Sequence, residues 1–401
     1  MATITGFTAE RMAEIEGASV IGGNVVGNNL VLTKHNGQTI TAGNVRGIPG
    51  EGAYIKKVLL PAVKLLTSGP STTLTNPVDL PTGPAYSVSW SPDQRFLTVG
   101  HDNNPYITTY QFNGIDLVKI ATPSNLPTGK VNDVCWSKDG SYLAVAHAIS
   151  PYISVYKFDG RSFTKLANPS VLMGGECTGV SWSQSGRYLA VTSASSPFVS
   201  VYSLYKDVLS KIAQPSNPVG GANKVSWYPD ESNISIAATV SPYLMNYVFD
   251  GENMTLSNPS SGLPSSFLTD VSWSPDGRYL ACSQNSGTDI LVYAYSNGSF
   301  SSPVSPSTNS AASVKSVSWS PDSERIVATF SGQEVPKSYP FFNGAFGPMF
   351  SGVGASLNRN KSSWSSDGQF VAYATTESPY LLVHKTFGRY YTDGSYTYAF
   401  R

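Results

Sequence analysis

Hydrophobic and polar residues alternate over short stretches of this chain. In DVSWSPDGRYLAC (270–282), Val271 and Trp273 fall on one side of an extended strand, while Ser272 and Ser274 fall on the other. The following SPDG (274–277) is a tight-turn sequence, because proline presets φ at the second turn position and glycine follows the aspartate. A second apolar run comes next. The segment therefore predicts a strand, a turn and a second strand.

The same arrangement recurs along the chain. DVCWSKDGSYLAV (133–145) and GVSWSQSGRYLAV (179–191) repeat the first two strands. PYISVYKFDG (151–160) follows the first of these as a third strand that ends in a hairpin signal, Asp159-Gly160. FTKL (163–166) supplies a short fourth strand. Each repeat thus predicts four antiparallel strands.

The tryptophans mark the period of this repeat. They are separated by 46, 46, 45, 46, 46 and 45 residues, and they are Trp90, Trp136, Trp182, Trp227, Trp273, Trp319 and Trp364. Four strands per 45–46 residues is the period of a propeller blade, and seven tryptophans indicate seven blades. We therefore expect an all-β fold, a seven-bladed β-propeller of four-stranded antiparallel blades, with the tryptophans in the core between blades.

The sequence also indicates how the ring closes. Thr72–Pro77 lies as far before Trp90 as Thr164–Pro169 lies before Trp182. It therefore resembles an outer strand without a blade of its own, and it is expected to complete blade seven. Arg389–Thr392 lies where the outer strand after Trp364 should fall. The sequence leaves open whether one or both of these segments pack there.

The first part of the chain carries no repeat. We divide the chain into an anchoring and trimerisation segment (1–53), a linker (54–70) and the propeller (71–401). A short helix is expected from Thr8 to Gly17, and a hairpin is expected around Asn36-Gly37. So short a segment has too little core to fold alone, so it should oligomerise or dock on a larger body. The candidate contacts are Phe7, Met12, Ile15, Leu30 and Leu32.

Charge and cysteine content narrow the function. The chain has 26 Lys and Arg against 26 Asp and Glu, which gives no electrostatic reason to bind nucleic acid. The chain contains no apolar run of about 18 residues, so we do not expect it to insert into a membrane. Three scattered cysteines give neither a disulfide framework nor a zinc site. We expect no cofactor and no metal.

Catalytic residues are not evident either. The repeated aspartates, such as Asp139 and Asp276, suit turn formation, and His101 and His147 suit structural roles. Only Asp133 and Asp270 lie near the start of a first strand, and they belong to non-adjacent blades. A propeller glycosidase would need convergent carboxylates. We therefore expect a protein without enzymatic activity.

The positions that vary between repeats are candidates for recognition. The connections from the fourth strand to the next blade differ widely, and they carry isolated apolar residues at Leu126, Met173 and Phe267. Blade six departs from the repeat with an aromatic cluster that includes Tyr339 and Phe346. The loops could instead be ordinary variable loops, and the cluster could be a repacked core.

Two resemblances suggest a biological setting. The repeat SPDGRYLA, with the following SPYISVYK type of strand, resembles WD-repeat-like propellers, especially those of phage and prophage structural proteins. The opening MATITGFTAERMAEIEGASVIGGNVVGNNL is similar to the start of phage tail or minor structural proteins. The resemblance implies a homotrimeric virion protein whose residues 1–53 bind other virion proteins. Its propeller would then display an adsorption surface for a host glycan or protein. A capsid decoration or head-fibre role is the alternative that the same resemblance allows.

Overall fold

The computed structural model describes residues 72–386 apart from 216–219, 260, 287–289, 308–311, 333 and 352–356, together with seven strands outside that range. The chain divides into two compact units, Met1–Val63 and Lys64–Arg401.

The first unit contains one four-stranded antiparallel sheet in the order β1-β4-β3-β2. Its strands are β1 (Thr3–Ile4), β2 (Val20–Val26), β3 (Asn29–Lys34) and β4 (Thr39–Arg46). The predicted hairpin is confirmed, since Thr33 pairs with Thr39 across residues 35–38. The predicted helix, with Phe7, Met12 and Ile15, lies outside the described residues. Leu30 and Leu32 belong to β3, and their side chains also lie outside the description.

The second unit contains seven blades, each built around four antiparallel strands, as the repeat predicts. Two short strands precede them, β5 (Lys64–Leu65) and β6 (Thr72–Thr73). Blades one to three contain β7 (Ala85–Trp90), β8 (Phe96–His101), β9 (Ile107–Phe112) and β10 (Leu117–Lys119); β11 (Val131–Trp136), β12 (Tyr142–His147), β13 (Ile153–Phe158) and β14 (Phe163–Lys165); and β15 (Cys177–Trp182), β16 (Tyr188–Ser193), β17 (Val199–Tyr205) and β18 (Val208–Ala213).

Blades four to seven continue the same order from the innermost strand outwards. They contain β19 (Ala222–Trp227), β20 (Asn233–Ala238), β21 (Leu244–Phe249) and β22 (Met254–Leu256); β23 (Leu268–Trp273), β24 (Tyr279–Gln284), β25 (Ile290–Ser296) and β26 (Ser299–Phe300); β27 (Val314–Trp319), β28 (Arg325–Phe330), β29 (Lys337–Phe342), β30 (Ala345–Phe346) and β31 (Phe350–Ser351); and β32 (Arg359–Trp364), β33 (Phe370–Thr375) and β34 (Leu381–Lys385). Two C-terminal strands follow, β35 (Arg389–Thr392) and β36 (Thr397–Phe400).

The ring closes through the segment that precedes blade one. The innermost strands contact one another in succession, and β32 contacts β7. The strand β6 forms the outer edge of blade seven by pairing with β34, and the backbone N–H of Leu74 donates to Val383 O at 2.8 Å. β35 pairs instead with β36 and β5 in a separate sheet. Thus β6, and not Arg389–Thr392, supplies the fourth strand of blade seven.

Aromatic contacts explain the tryptophan period. Six of the seven tryptophans are buried, and Trp364 is half-buried. At most interfaces an aromatic residue at the start of the second strand of one blade packs on the tryptophan of the next, as Tyr188 does on Trp227 with ring centroids 6.1 Å apart. An aromatic residue at the end of the third strand, such as Phe249, meets the same tryptophan edge-on at 5.3 Å. Within the described residues, every tryptophan except Trp364 therefore joins two blades through aromatic contacts.

The interface between blades six and seven departs from this arrangement. Among the described residues its apolar cluster contains four buried members, Val327, Val371, Tyr373 and Leu382. The cluster between blades four and five contains nine. Arg325 occupies the position of the packing aromatic, and its guanidinium lies 5.0 Å from the Trp364 ring centroid. Less apolar burial means that this interface gains less from the hydrophobic effect.

Candidate functional site

The strand order gives the propeller two chemically different faces. In each antiparallel blade the first-to-second and third-to-fourth turns lie at one end of the strands, which we call the turn face. The second-to-third connections and the connections between blades lie at the other end, which we call the loop face. The predicted recognition loops that carry Leu126, Met173 and Phe267 belong to the loop face.

The turn face is built from self-contained polar turns. Ser274 Oγ donates to Asp276 Oδ1 at 2.7 Å, and the backbone N–H of Arg278 donates to the same oxygen at 3.1 Å. Gly277 has a φ of 71°, which favours glycine at that position. Equivalent serine–aspartate pairs occur at Ser137 and Asp139. These aspartates therefore form turns, as the sequence suggested.

A cleft of about 210 Å³ lies on the turn face between blades one and two. Three carboxylates line it, those of Asp93, Asp139 and Asp159. Each accepts backbone hydrogen bonds within its own turn, for example from the N–H groups of Arg161 and Ser162 to Asp159 Oδ1 at 2.8 and 2.7 Å. The carboxylates are thus committed to local structure.

The loop face has fewer charges and more exposed apolar side chains. Within the described residues its connections contain the charged residues Asp79, Asp102, Lys130, Glu176, Glu334 and Glu377. They also contain the exposed apolar residues Val78, Ile149, Val171, Leu172, Val240, Leu263 and Phe267. The turn face carries the exposed apolar residues Ile115, Tyr205 and Val208. Exposed apolar side chains in connections with few charges are accessible for contact with a partner.

The predicted recognition residues divide into exposed and buried groups. Phe267 is 37% exposed, and Leu126 is half-buried. The prediction is wrong for Met173, which is 3% exposed and packs in the core with Trp182. An isolated apolar residue in a polar loop can fill a gap beneath the loop, and Met173 does so because its unbranched side chain adapts to irregular spaces.

The aromatic cluster of blade six follows the second of the two alternatives that the sequence leaves open, a repacked core. Tyr339 is 1% exposed, and Phe346 is half-buried against the same core. The Phe346 ring lies 5.0 Å from the ring of Phe341 in an edge-on arrangement. The cluster is thus a core in which Phe346 of the outer strand β30 packs against the rings of Tyr339 and Phe341.

A ring of side chains three residues before each tryptophan surrounds the central axis. Its members are Ser87, Asp133, Gly179, Lys224, Asp270, Ser316 and Lys361. Lys224 Nζ in blade four reaches past blade three to Asp133 Oδ2 in blade two at 3.1 Å. Lys361 Nζ in blade seven reaches past blade six to Asp270 Oδ1 in blade five at 3.4 Å. Only near the axis can a side chain bridge blades that are not neighbours.

The two ion pairs share a pattern of aspartate, small residue and lysine. A Cβ added to Gly179 would lie 2.7 Å from Thr192 Oγ1 and 3.1 Å from the Cα of Lys224, so a larger residue between the members of the first pair would crowd its neighbours. Ser316 is the small residue between Asp270 and Lys361. Around the axis the charges alternate in sign from blade two to blades four, five and seven.

The first pair is more completely hydrogen-bonded than the second. Lys224 Nζ also donates to the carbonyl oxygens of Asn132 at 3.0 Å and Thr178 at 2.8 Å, and Ser87 Oγ donates to Asp133 Oδ1 at 2.7 Å. The one hydrogen bond of Lys361 Nζ within the described part of the chain is the 3.4 Å contact with Asp270. The second pair is therefore the looser one.

Burial and neighbouring charges set the ionisation of this ring. Burial acts to raise the pKa of Asp133, but Lys224, Lys361 and the Ser87 hydroxyl outweigh it and lower that pKa. Burial raises the pKa of Asp270 despite Lys361 and Lys224. Burial acts to lower the pKa of Lys361, whereas Asp133 and Asp270 together raise it. Each carboxylate of the ring therefore lies beside a lysine of another blade, and the ring contains two buried ion pairs.

Sequence reasoning identified Asp133 and Asp270 but missed Lys224 and Lys361. The signal was their offset, because both lysines also lie three residues before a tryptophan. When the seven repeats are aligned on their tryptophans, the position three residues before the tryptophan contains all four charged residues. These four positions lie on one ring around the axis.

The histidines of the loop face are structural, as the sequence suggested. His147 Nε2 lies 3.0 Å from Ser154 Oγ, and its Nδ1 lies 2.8 Å from the carbonyl oxygen of Ile149. His101 Nε2 lies 2.9 Å from Thr108 Oγ1. Burial lowers the pKa of each histidine to about 4. Both are therefore neutral hydrogen-bonding groups at neutral pH.

In the part of the chain that the structure describes, no three histidine, cysteine, aspartate or glutamate side chains are placed to hold a metal ion. No helix among those residues is long and apolar enough to span a membrane.

Comparison with known families agrees with the propeller. Residues 70–209 are similar to the family of eukaryotic translation initiation factor eIF2A, and residues 257–289 are similar to the WD domain, G-beta repeat. Each match spans less than half of the chain. No curated protein matches the chain. The chain is thus a WD-repeat-like β-propeller.

Proposed function

We propose that this protein is a non-enzymatic virion structural protein of a phage, in which the propeller presents its loop face to a protein on the host surface. Residues 1–53 attach the chain to other virion proteins and assemble it as a homotrimer. The single observation that supports recognition by the loop face is its concentration of exposed apolar side chains in connections with few charges.

The attachment role rests on the resemblance of the N-terminal sequence to phage tail and minor structural proteins. The first unit ends at Val63, so removing residues 1–53 leaves the propeller unit whole. We expect this truncated protein to sediment as a soluble monomer and to be absent from particles. Trimers that persist after the deletion would contradict the proposed role of residues 1–53.

The partner is inferred from the chemistry of the loop face. Ile149 is 56% exposed in the second-to-third connection of blade two, and Phe267 is 37% exposed before blade five. Aliphatic and aromatic side chains of this kind contribute to affinity when a partner removes them from water. A protein with an apolar, weakly charged patch fits this face better than a strongly acidic or basic ligand.

Binding of the full-length protein to host envelopes tests this proposal. We expect Ile149→Ser and Phe267→Ser to weaken binding by about tenfold each, which corresponds to about 1.4 kcal/mol. Ile115→Ser is the matched control, because Ile115 is 72% exposed on the turn face. Protease treatment of the envelopes should abolish binding. Loss of binding after removal of glycans alone would identify a glycan as the receptor instead.

A capsid decoration role is the alternative, with the propeller serving as a structural cover. Electron microscopy of particles carrying labelled protein distinguishes the two roles. Protein at the tail tip that binds host cells supports adsorption. Protein distributed over the capsid lattice, without host binding by the purified chain, would overturn it.

The match of residues 70–209 to the eIF2A family favours a second candidate, a propeller that binds a component of the translation apparatus. The balanced charge of the chain argues for a protein contact and not for extensive RNA binding. Cosedimentation with ribosomes at physiological salt, in the absence of particles, would support this candidate over the virion role.

A further inference from the structure

We propose that the Lys361–Asp270 ion pair is a latch across the interface between blades six and seven, and that the ring opens there when the latch is broken. Chain connectivity suggests a different weak point, the seam in blade seven where the two ends of the propeller meet. The packing of the described residues points away from that seam.

The seam is well supported by blade one. The cluster between blades seven and one includes Trp90, Phe112 and Phe370, and Phe112 contacts Phe370 edge-on at 5.0 Å. The backbone N–H of Trp90 donates to Ser363 Oγ at 3.2 Å, and Asn360 Nδ2 donates to Ala85 O at 2.8 Å. Blade seven is thus fastened to blade one by apolar packing and by direct hydrogen bonds.

The opposite side of blade seven has much less apolar packing. Four buried apolar residues form its cluster, and charged and polar groups occupy the surrounding space. Arg359 is fully buried there, with its guanidinium 5.7 Å from the ring of Tyr373 and its Nη1 3.1 Å from Glu334 O. His384 is also buried, with its ring 5.0 Å from Tyr373. Among the described residues, this interface therefore has the smallest buried apolar cluster of the ring, with polar groups in its place.

The latch crosses this interface. Lys361 belongs to blade seven and pairs with Asp270 of blade five, so the ion pair encloses blade six between its partners. Ser316 of blade six lies beneath it, and its hydroxyl accepts a hydrogen bond from the backbone N–H of Ser362 at 3.2 Å. Moving blade seven away from blade six therefore breaks the ion pair and this hydrogen bond together.

The equivalent pair in the regular part of the ring provides a control. Lys224 and Asp133 enclose blade three in the same way, but the flanking interfaces contain large apolar clusters. Breaking that pair should lower the overall stability of the propeller without opening one interface. The two lysines have similar exposure, 16% for Lys224 and 22% for Lys361, so the substitutions are comparable.

Hydrogen–deuterium exchange of the full-length protein tests the latch. In Lys361→Met we expect amides in 326–332 and 357–364 to exchange at least tenfold faster, while those in 177–193 keep the wild-type rate. Lys224→Met should not accelerate exchange selectively in 326–332 and 357–364. Equal exchange in Lys361→Met and wild type, or selective opening of the same interface by Lys224→Met, would overturn the proposal.

A double variant distinguishes two possible causes of faster exchange, the loss of the attraction between Lys361 and Asp270 and the burial of an unpaired Asp270 carboxylate. Lys361→Met leaves Asp270 buried without its ammonium, whereas Asp270→Asn combined with Lys361→Met removes both charges. We expect the double variant to keep the faster exchange at the interface, because the attraction is absent. Wild-type protection in the double variant would show that the orphaned carboxylate, and not the missing latch, opened the ring.

Discussion

The interface between blades four and five and the interface between blades six and seven use the same repeat to different effect. In the first, Trp273 is buried with its ring centroid 4.8 Å from Tyr228 and 5.2 Å from Tyr295, and its Nε1 donates to Ser235 Oγ at 3.0 Å. In the second, Trp364 is half-buried beneath a guanidinium. A repeated residue thus has a role that depends on its neighbours in the adjoining blade.

The largest expected effect compares these two tryptophans directly. Trp273→Ala should destabilise the protein by about 3–5 kcal/mol, as expected for truncation of a buried aromatic side chain. Trp364→Ala should cost less, about 1–2 kcal/mol, because its ring is partly solvated and it loses a cation–π contact and not an aromatic pair. Equilibrium denaturation in urea measures both values. Equal losses would show that the two interfaces are energetically alike.

The second test extends the comparison to the loop face. Met173→Ala should cost about 2–4 kcal/mol, because it leaves a cavity beside Trp182 in a packed core. Phe267→Ala should cost less, about 1 kcal/mol, because Phe267 is 37% exposed in the folded protein. Denaturation curves of the two variants measure this difference. They distinguish Met173, a core residue, from Phe267, a candidate recognition residue, although both lie in connections between blades. A large loss for Phe267→Ala would place its ring in the core.

The contrast between Met173 and Phe267 shows where sequence reasoning succeeds and where it fails. The tryptophan spacing predicted seven four-stranded blades and the closing strand Thr72–Thr73, because a period imposes the same backbone in every repeat. It could not separate the two loop residues, since both are isolated apolar side chains among Ser, Asn and Pro. Their difference depends on the space beneath each loop, which is determined by packing between blades.

The axial charges show a different kind of failure. In the sequence, Asp133 and Asp270 have no evident partner, because Lys224 lies 91 residues after Asp133 and Lys361 lies 91 residues after Asp270. The ring brings these positions together, and the column of residues three before each tryptophan contains both lysines. Long-range ion pairs of this kind become predictable only once the number of blades and their order are known.

The third test compares how acid affects stability in blades one and two, which contain His101 and His147, and in blade seven, which contains His384. Burial lowers the pKa of His101, His147 and His384 to about 4 in the folded protein. In the unfolded chain these groups have a pKa of about 6.5. The unfolded state therefore binds more protons between these values, so stability is complete above about pH 6.5 and is lost as the pH falls toward about 4. At pH 5 each histidine should cost about 2 kcal/mol.

His384 tests whether the interface between blades six and seven shares this acid sensitivity. His384→Phe should remove about a third of the loss in unfolding free energy between pH 7 and pH 5 that the three histidines cause. Urea titrations of the variant and the wild type at both pH values measure the difference. An unchanged loss would mean that His384 is not a buried neutral group at this interface.

The smallest expected effect comes from a column of tyrosines that lies twenty residues after each tryptophan and becomes His384 in blade seven. Tyr202 Oη donates to the carbonyl oxygen of Val171 at 3.0 Å and so fastens the loop before blade three. Within the described residues, the buried hydroxyl of Tyr156 donates to no loop carbonyl oxygen. Tyr202→Phe should therefore cost about 1 kcal/mol, whereas Tyr156→Phe should be neutral or stabilising. Thermal unfolding of the two variants at pH 7 measures the difference in stability. An equal loss of stability in Tyr156→Phe and Tyr202→Phe would show that both tyrosines hold the preceding loop in the same way.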